Sequence, residues 1–381
     1  MTLQDVNSAP DKLAPVILFA YNRPDHTLRT LQSLAANDLA SRTDLIVYCD
    51  GPRDCADASQ LERIRRTRTA VETITGFLSV SVMIRDKNLG LAASVVQGVS
   101  EVLAKSGRAI VLEDDLQLSP GFLRYMNSAL AIYEHDENVM HISGYMFPVK
   151  AEAPETFFIN ASFCWGWATW QRAWKHYESD ACTLLQRLRA SRRVEEFDLN
   201  PHLGLLNQLE ANCTGTLNTW AVKWYASTFL RNGLTLMPGR SLVNNLGHDG
   251  SGSNSGRSDI YHWESLAESV PVVKQDSRED TRMRAALAGF RREEHKQPVV
   301  QNPDFTGRVK SRLRSFIRRI VLSSLQPQDI EKMLNDLKVQ RCLPRVHKHP
   351  TARFYPEARV IDHGAGRPRI TVAADTHIRG E

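Results

Sequence analysis

Over the first third of the chain, short continuous apolar runs alternate with segments whose apolar positions recur every three or four residues. Val16 to Ala20 (VILFA) reads as a buried strand, and Pro24 to Ala36 follows with Leu28, Leu31 and Leu34 at helical spacing. Leu45 to Cys49 (LIVYC) repeats the strand signal, and Ser59 to Thr75 carries Leu61, Ile64 and Val71 along one helical face. Leu78 to Ile84 precedes the helix-like stretch Leu91 to Leu103. Ala109 to Leu112 (AIVL) precedes Pro120 to Tyr133, where proline suits a first helical turn. Four strand–helix units in a row predict a doubly wound, mostly parallel α/β sheet, because parallel strands need long crossovers and are covered on both faces.

In such sheets ligands bind outside the carboxyl ends of the strands. Those ends are polar here: Tyr21-Asn22-Arg23-Pro24 after the first strand, Asp50-Gly51 after the second, Arg85-Asp86-Lys87-Asn88 after the third and Glu113-Asp114-Asp115 after the fourth. The predicted topology gathers all four on one edge. From Val139 to about Gly256 the alternation loosens. This stretch holds an aromatic segment, Phe163 to Trp170, and a Gly/Ser/Asn-rich loop, Asn244 to Gly256, and reads as the substrate-side half of the same domain.

Three regions are expected: an α/β domain over 1–295, a linker with basic amphipathic helices over 296–345, and a short β-rich segment over 346–381. Phe305 to Leu325 carries Phe305, Val309, Leu313, Phe316, Ile317 and Ile320 on one stripe. Arg308, Lys310, Arg312, Arg314, Arg318 and Arg319 accompany it with no acid before Gln328. That composition suits an anionic membrane surface, and it equally suits a solvated face over a small core. Overall charge is only +5, which gives no case for nucleic acid. No apolar run approaches the roughly 20 residues that span a bilayer, and Met1 to Pro15 is unlike a secretory leader, so a cytoplasmic protein is expected, with peripheral membrane contact through the basic helix. The six cysteines lack metal-site spacing and disulfide density and read as reduced thiols.

Carboxylates at the end of a parallel strand can hold a hard divalent cation through one or two oxygens and leave coordination sites for substrate phosphates. Glu113-Asp114-Asp115 therefore predicts a Mn2+ or Mg2+ site that binds a diphosphate; the plainer reading is a solvated strand end. Asn22-Arg23-Pro24 and Asp50-Gly51 are, taken alone, also ordinary turn sequences.

Taken in order, Asn22-Arg23, Asp50-Gly51 and the acidic motif after the fourth strand resemble the GT-A glycosyltransferases, which use nucleotide-diphosphate sugars. Glu113 to Tyr125 (EDDLQLSPGFLRY) is similar to the acidic motif and following helix of the N-acetylglucosaminyltransferase I type, and Gly166-Trp-Ala-Thr-Trp170 to bacterial relatives of that group. The resemblance spans about Pro15 to Gly256. It implies that Arg23 and Asp50 contact the nucleotide, that Asn88 and the Leu89-Gly90-Leu91 turn complete that pocket, that Asp115 is the metal ligand, and that Glu113 and Asp114 hydrogen-bond the sugar or ribose. A late histidine binds the metal in many such enzymes, which makes His248 a second candidate ligand. The Asn244 to Gly256 loop is expected to close over the diphosphate with Ser251 or Ser253 donating hydrogen bonds; otherwise it is a surface connection.

An inverting transfer needs a carboxylate to deprotonate the acceptor hydroxyl. The stretch where the resemblance would put it, Trp220-Ala-Val-Lys-Trp224, has no acid, so Asp249 is the candidate base, with Asp180 behind it. Trp165, Trp167 and Trp170 are candidates for stacking on sugar faces or for core packing. The resulting expectation is a metal-dependent, uridine-linked nucleotide-sugar glycosyltransferase acting on a glycan or lipid-linked glycan. Its rivals are a sugar-phosphate nucleotidyltransferase, whose Gly-rich, Arg-containing first loop is missing here, and a membrane-peripheral scaffold with a degenerate transferase domain. The C-terminal phrase Ile370 to Ile378 (ITVAADTHI) resembles the opening of hexapeptide-repeat acyltransferases, implying the first coils of a truncated β-helix.

Overall fold

A computed structural model of the chain describes residues 12–199, 204–250 and 258–296 and two strands at 358–361 and 369–374. The first half follows the predicted alternation: β1 (Val16–Ala20), α1 (Pro24–Ala35), β2 (Asp44–Cys49), α2 (Ala58–Glu72), β3 (Ser79–Ile84), α3 (Leu91–Ser106) and β4 (Arg108–Glu113). After it come β5 (Leu116–Leu118), α4 (Phe122–Ile132), β6 (Val139–Ser143), β7 (Thr156–Ile159) and β8 (Trp167–Trp170). Helices α5 (Gln171–Trp174), α6 (Ala181–Ala190), α7 (Val194–Phe197), α8 (Leu205–Cys213) and α9 (Ala221–Phe229) precede β9 (Leu234–Pro238), β10 (Val243–Asn245) and α10 (Thr281–Lys296). The last two strands are β11 (Ala358–Ile361) and β12 (Arg369–Ala374).

The main sheet has the order β11-β12-β3-β2-β1-β4-β8-β6-β9-β7, and β5 pairs with β10 in a separate two-stranded ribbon. Strands β3, β2, β1 and β4 are parallel neighbours, and β8 joins β4 antiparallel. Their side chains alternate between two cores. Val16, Leu18, Val47 and Val82 meet Leu31 and Leu34 of α1 and Val71 of α2 on one face. Ile17, Phe19, Tyr48 and Val111 meet Val95, Val99 and Leu103 of α3 on the other. Each fully buried aliphatic side chain contributes about 1.5–3 kcal/mol, so neither helical layer can leave without exposing much of the sheet. The doubly wound expectation holds.

The helical stripes differ in detail from the spacing read in the sequence. Leu28 is 39% exposed and Leu61 47%, while Thr27 and Thr30 in α1 and Thr67 in α2 are buried beside the leucines, isoleucine and valine. Threonine fits there because its hydroxyl back-bonds within the helix, as Thr27 does to Arg23 O and Thr67 to Arg63 O. Pro120 lies ahead of α4, whose N-cap is Gly121.

Two further expectations change. Cys182 and Cys213 form a disulfide that ties α6 to α8, contrary to the all-reduced reading; their separation along the chain carried no spacing signal. At the carboxyl terminus β11 pairs antiparallel with β12, and β12 runs parallel to β3 as a further strand of the sheet. Stacked β-helix coils would pair in parallel, so these two strands are a hairpin added to the sheet edge. The basic helix Phe305 to Leu325 lies outside the described residues.

Behind β8 an indole cluster fills the second core. His141, fully buried on β6, stacks on Trp167 with ring centroids 5.1 Å apart. Its Nδ1 accepts from Trp224 Nε1 at 3.1 Å and its Nε2 lies 3.0 Å from Phe163 O. With Nδ1 accepting, the ring proton sits on Nε2 and the imidazole is neutral. Burial pushes its pKa down to about 4. The unfolded chain protonates near pH 6.5, so the stability from a neutral His141 is fully present above that and is lost as pH falls towards 4, about 3 kcal/mol over the window. Denaturant unfolding at pH 7 and pH 4.5 checks this: His141→Gln should be less stable than wild type at pH 7 and should lose less on acidification.

Candidate functional site

Strand order reverses between β1 and β4, and at their carboxyl ends such a sheet opens a crevice. Arg23 follows β1 at the N-cap of α1, where Pro24 starts the helix without needing a backbone donor. Across from it Glu113 closes β4, and Asp114 and Asp115 make the turn into β5. Helix α1 is fastened to that turn by side chains on one face. Thr30 Oγ1 donates to Asp114 O at 3.0 Å and accepts from Leu116 N at 3.1 Å. One turn on, Ser33 Oγ accepts from Leu118 N, and Asn37 Oδ1 accepts from Leu123 N. The acidic turn is thereby fixed relative to α1.

The β5–β10 ribbon brings in a third segment. Leu116 pairs with Asn245 and Leu118 with Val243, so the chain leaving β10 runs past the acidic turn, and Leu246 N donates to Asp115 O at 2.7 Å. Gly247 packs directly on the carboxylate: a Cβ at that position would stand 2.1 Å from Asp115 Oδ2. Arg23 Nη1 donates to Asp115 Oδ2 at 2.8 Å, and its Nη2 lies 3.7 Å from Asp249 Oδ1. On the other oxygen of Asp249, Oδ2, His26 Nε2 is 3.1 Å away. One arginine thus spans the strand-end acid and the loop acid.

Glu113 and Asp114 are held above the usual carboxylate range, first by burial and then by the charge of Asp115. The Trp220 side chain beside Glu113 works against that rise, and Asp114 Oδ2 faces Tyr21 N at 3.4 Å. Three adjacent acids in one partly buried turn cannot all ionise without nearby cations, which makes the turn a natural seat for positive charge. Among the described residues no three His, Cys, Asp or Glu side chains gather closely enough to enclose a metal ion. The donors present are hard carboxylate oxygens, which fit Mg2+ or Mn2+ held by one or two protein ligands with substrate phosphates completing the shell.

At the β2 and β3 ends the structure builds a second corner. Asp50, 7% exposed, accepts from Leu89 N at 2.9 Å and Gly51 N at 3.0 Å through Oδ1 and from Gly90 N at 2.9 Å through Oδ2. Asn88 Nδ2 donates to Gly51 O at 3.0 Å. Gly51 is required by close approach, since a Cβ there would lie 2.5 Å from the backbone of Lys87. Asp50 thus shapes the Leu89-Gly90-Leu91 turn with both oxygens, and Leu91, 40% exposed, stands at its rim.

Not every predicted site residue comes to this edge. Trp167 is fully buried between His141 and Trp220, which removes it from any sugar contact. Trp170 is likewise core, and only Trp165 of the three is partly exposed, edge-on to His248. Asp180 caps α6, accepting from Cys182 N and from Thr183 Oγ1, which holds its carboxyl below the usual range. Helix capping, not base catalysis, accounts for it. The His248 ring packs against Trp165 and Tyr261. Ser251 and Ser253 lie outside the described residues. Three contributors escape a reading of the sequence: His26, Gly247 and Trp220. The last had a signal in the Trp-flanked stretch; the other two acquire meaning only through the β5–β10 pairing.

Over residues 16–177 the chain matches the family model "Glycosyl transferase family 2". The crystal structure of TarS from S. aureus is similar over 38% of this chain and 25% of its own, at 17% identity and a TM-score of 0.25; this chain thus spans a quarter of that protein, a likeness too slight to carry an argument. No curated protein matches the chain. Residues 16–177, with the 3-2-1-4 parallel core and the acidic turn at its switch point, are similar to the family 2 glycosyltransferases, and the mixed α/β sheet is consistent with the GT-A fold of a glycosyltransferase.

Proposed function

We propose that the protein transfers a hexose or N-acetylhexosamine from a uridine-diphosphate sugar to a glycan or lipid-linked glycan acceptor, with inversion at the anomeric carbon and with Mn2+ or Mg2+ as cofactor. The observation that carries this reading is the meeting of Asp115, Arg23 and Asp249 at the switch point, with Arg23 within 2.8 Å of one carboxylate and 3.7 Å of the other. A divalent ion at such a site neutralises charge on the departing diphosphate. Asp115 would hold it, as the acid at the tip of the turn.

The chain's own groups divide the remaining work. Arg23 offers a fixed cation beside Asp115, suited to a phosphate oxygen. Asp50 keeps acceptor capacity after its three backbone bonds, since two carboxylate oxygens provide about four lone-pair sites, and it stands where a base or ribose N–H or O–H would donate. Glu113 and Asp114 would hydrogen-bond hydroxyls of the sugar or ribose. Asp249, 44% exposed, is the most open acid at the crevice and takes the acceptor's hydroxyl proton as the new bond forms. Peripheral membrane contact, if the basic segment after residue 305 provides it, would bring the enzyme to lipid-linked acceptors.

Calorimetry with UDP and MnCl2, together with turnover of a panel of UDP-sugars, tests the assignment. Asp115→Asn should abolish the manganese-dependent part of UDP binding. Asp249→Asn should keep UDP binding but lower turnover by about 10²-fold or more, and the product anomer read by NMR should be inverted. UDP binding that ignores manganese in wild type would sink the metal-dependent reading.

Gly247→Ala gives an independent check. Its methyl group must displace the Asp115 carboxylate, at a cost of about 1–3 kcal/mol. UDP affinity in manganese should fall by roughly tenfold or more, while affinity without metal stays near wild type and the unfolding midpoint drops by only a few degrees.

A further inference from the structure

Helix α1 does two jobs at once. Positions 26 and 30 lie one turn apart on the same face. Thr30 grips the acidic turn from both sides, donating to Asp114 O and accepting from Leu116 N. His26 reaches the other way, to Asp249 Oδ2 at 3.1 Å. The two carboxylates assigned above to ion binding and to proton removal are therefore referenced to a single rigid element. The helix itself is immobilised by its buried Leu31 and Leu34 against the sheet.

Asp249 needs such a reference. It sits on the segment that leaves β10, where the ribbon has ended, and its side chain is 44% exposed, against 15% for His26. Its cationic neighbour Arg23 is farther away at 3.7 Å and is already engaged by Asp115 at 2.8 Å. Any phosphate that draws the guanidinium towards itself weakens the hold of Arg23 on Asp249 further. Among the described residues His26 pairs with no other carboxylate, and its backbone belongs to the helix.

We propose that His26 is a positioning residue: it holds the Asp249 carboxylate at the crevice so that an acceptor hydroxyl meets it in reactive geometry. The inference rests on Asp249 acting as the base. A misplacement of about 1 Å at a reacting group costs on the order of 10²-fold in rate, so one hydrogen bond to the base is enough to matter. Glutamine, whose amide also donates, should replace the contact in part; alanine should not.

Two measurements on the full-length protein test this. By hydrogen exchange, His26→Ala should speed the amides of Leu246 to Gly250 by roughly tenfold while those of β1 and β4 keep their protection. Unchanged exchange in the loop overturns the proposal whether or not a donor has been found. By turnover, UDP release from UDP-glucose or UDP-N-acetylglucosamine in MnCl2 should show kcat lowered by roughly tenfold or more with donor KM within about threefold, and His26→Gln should recover much of it. A wild-type kcat in His26→Ala, or a loss confined to KM, overturns it. Asp249→Asn separates the two ideas. If that variant keeps its kcat, the base assignment fails and the purpose of His26 with it. If it loses kcat while His26→Ala does not, the His26 inference alone fails.

Discussion

The Arg23 guanidinium holds the site together by bridging two carboxylates that the chain brings from opposite ends of the domain. Both it and Asp115 are mostly out of solvent, at 16% and 14% exposure, where a charge left alone is expensive and a hydrogen-bonded pair is tolerated. Around them Glu113 and Asp114 add acidity that burial and mutual repulsion already hold partly protonated. The crevice is thus built to be short of positive charge. A cation of the protein, Arg23, satisfies part of that demand.

The corner around Asp50 obeys a different rule. Asp50 is nearly buried but accepts three backbone N–H bonds, so its charge is compensated by dipoles instead of by a cation. Those amides belong to loops after neighbouring parallel strands, whose register is fixed by the sheet. Such a corner is organised before any ligand comes. The corner around Asp115 and Asp249 depends on a ribbon of three residues a side and on contacts from one helix, and it is correspondingly easier to disturb.

This contrast explains what was legible in the sequence. Strand ends after continuous apolar runs are local signals, so Arg23, Asp50, Asn88 and Asp115 could be placed at one rim from period and order alone. Asp249 was reached by elimination, for want of an acid between Trp220 and Trp224, and the β5–β10 pairing is what puts it beside Arg23. Nothing local marks β5: three residues following an acidic triplet carry no strand signature, and its partner is far along the chain. His26 and Gly247 were invisible for that reason. Trp167 and Asp180 failed for the opposite one. Each belongs to a residue type that suits a site, but tertiary packing claimed the indole for the His141 cluster, and helix capping claimed the carboxylate.

The indole cluster also links the second core to the chemistry. Trp220 stacks on Trp167 at 5.3 Å between centroids and lies close enough to Glu113 to bear on its titration, so the packing behind β8 borders one acid of the turn. His141 is part of that packing through Trp167 and Trp224. A neutral imidazole is needed there, because its Nδ1 must accept from one indole while Nε2 donates to a carbonyl; protonation would put a donor against a donor. Acid therefore loosens, from behind, the indole packing that borders Glu113.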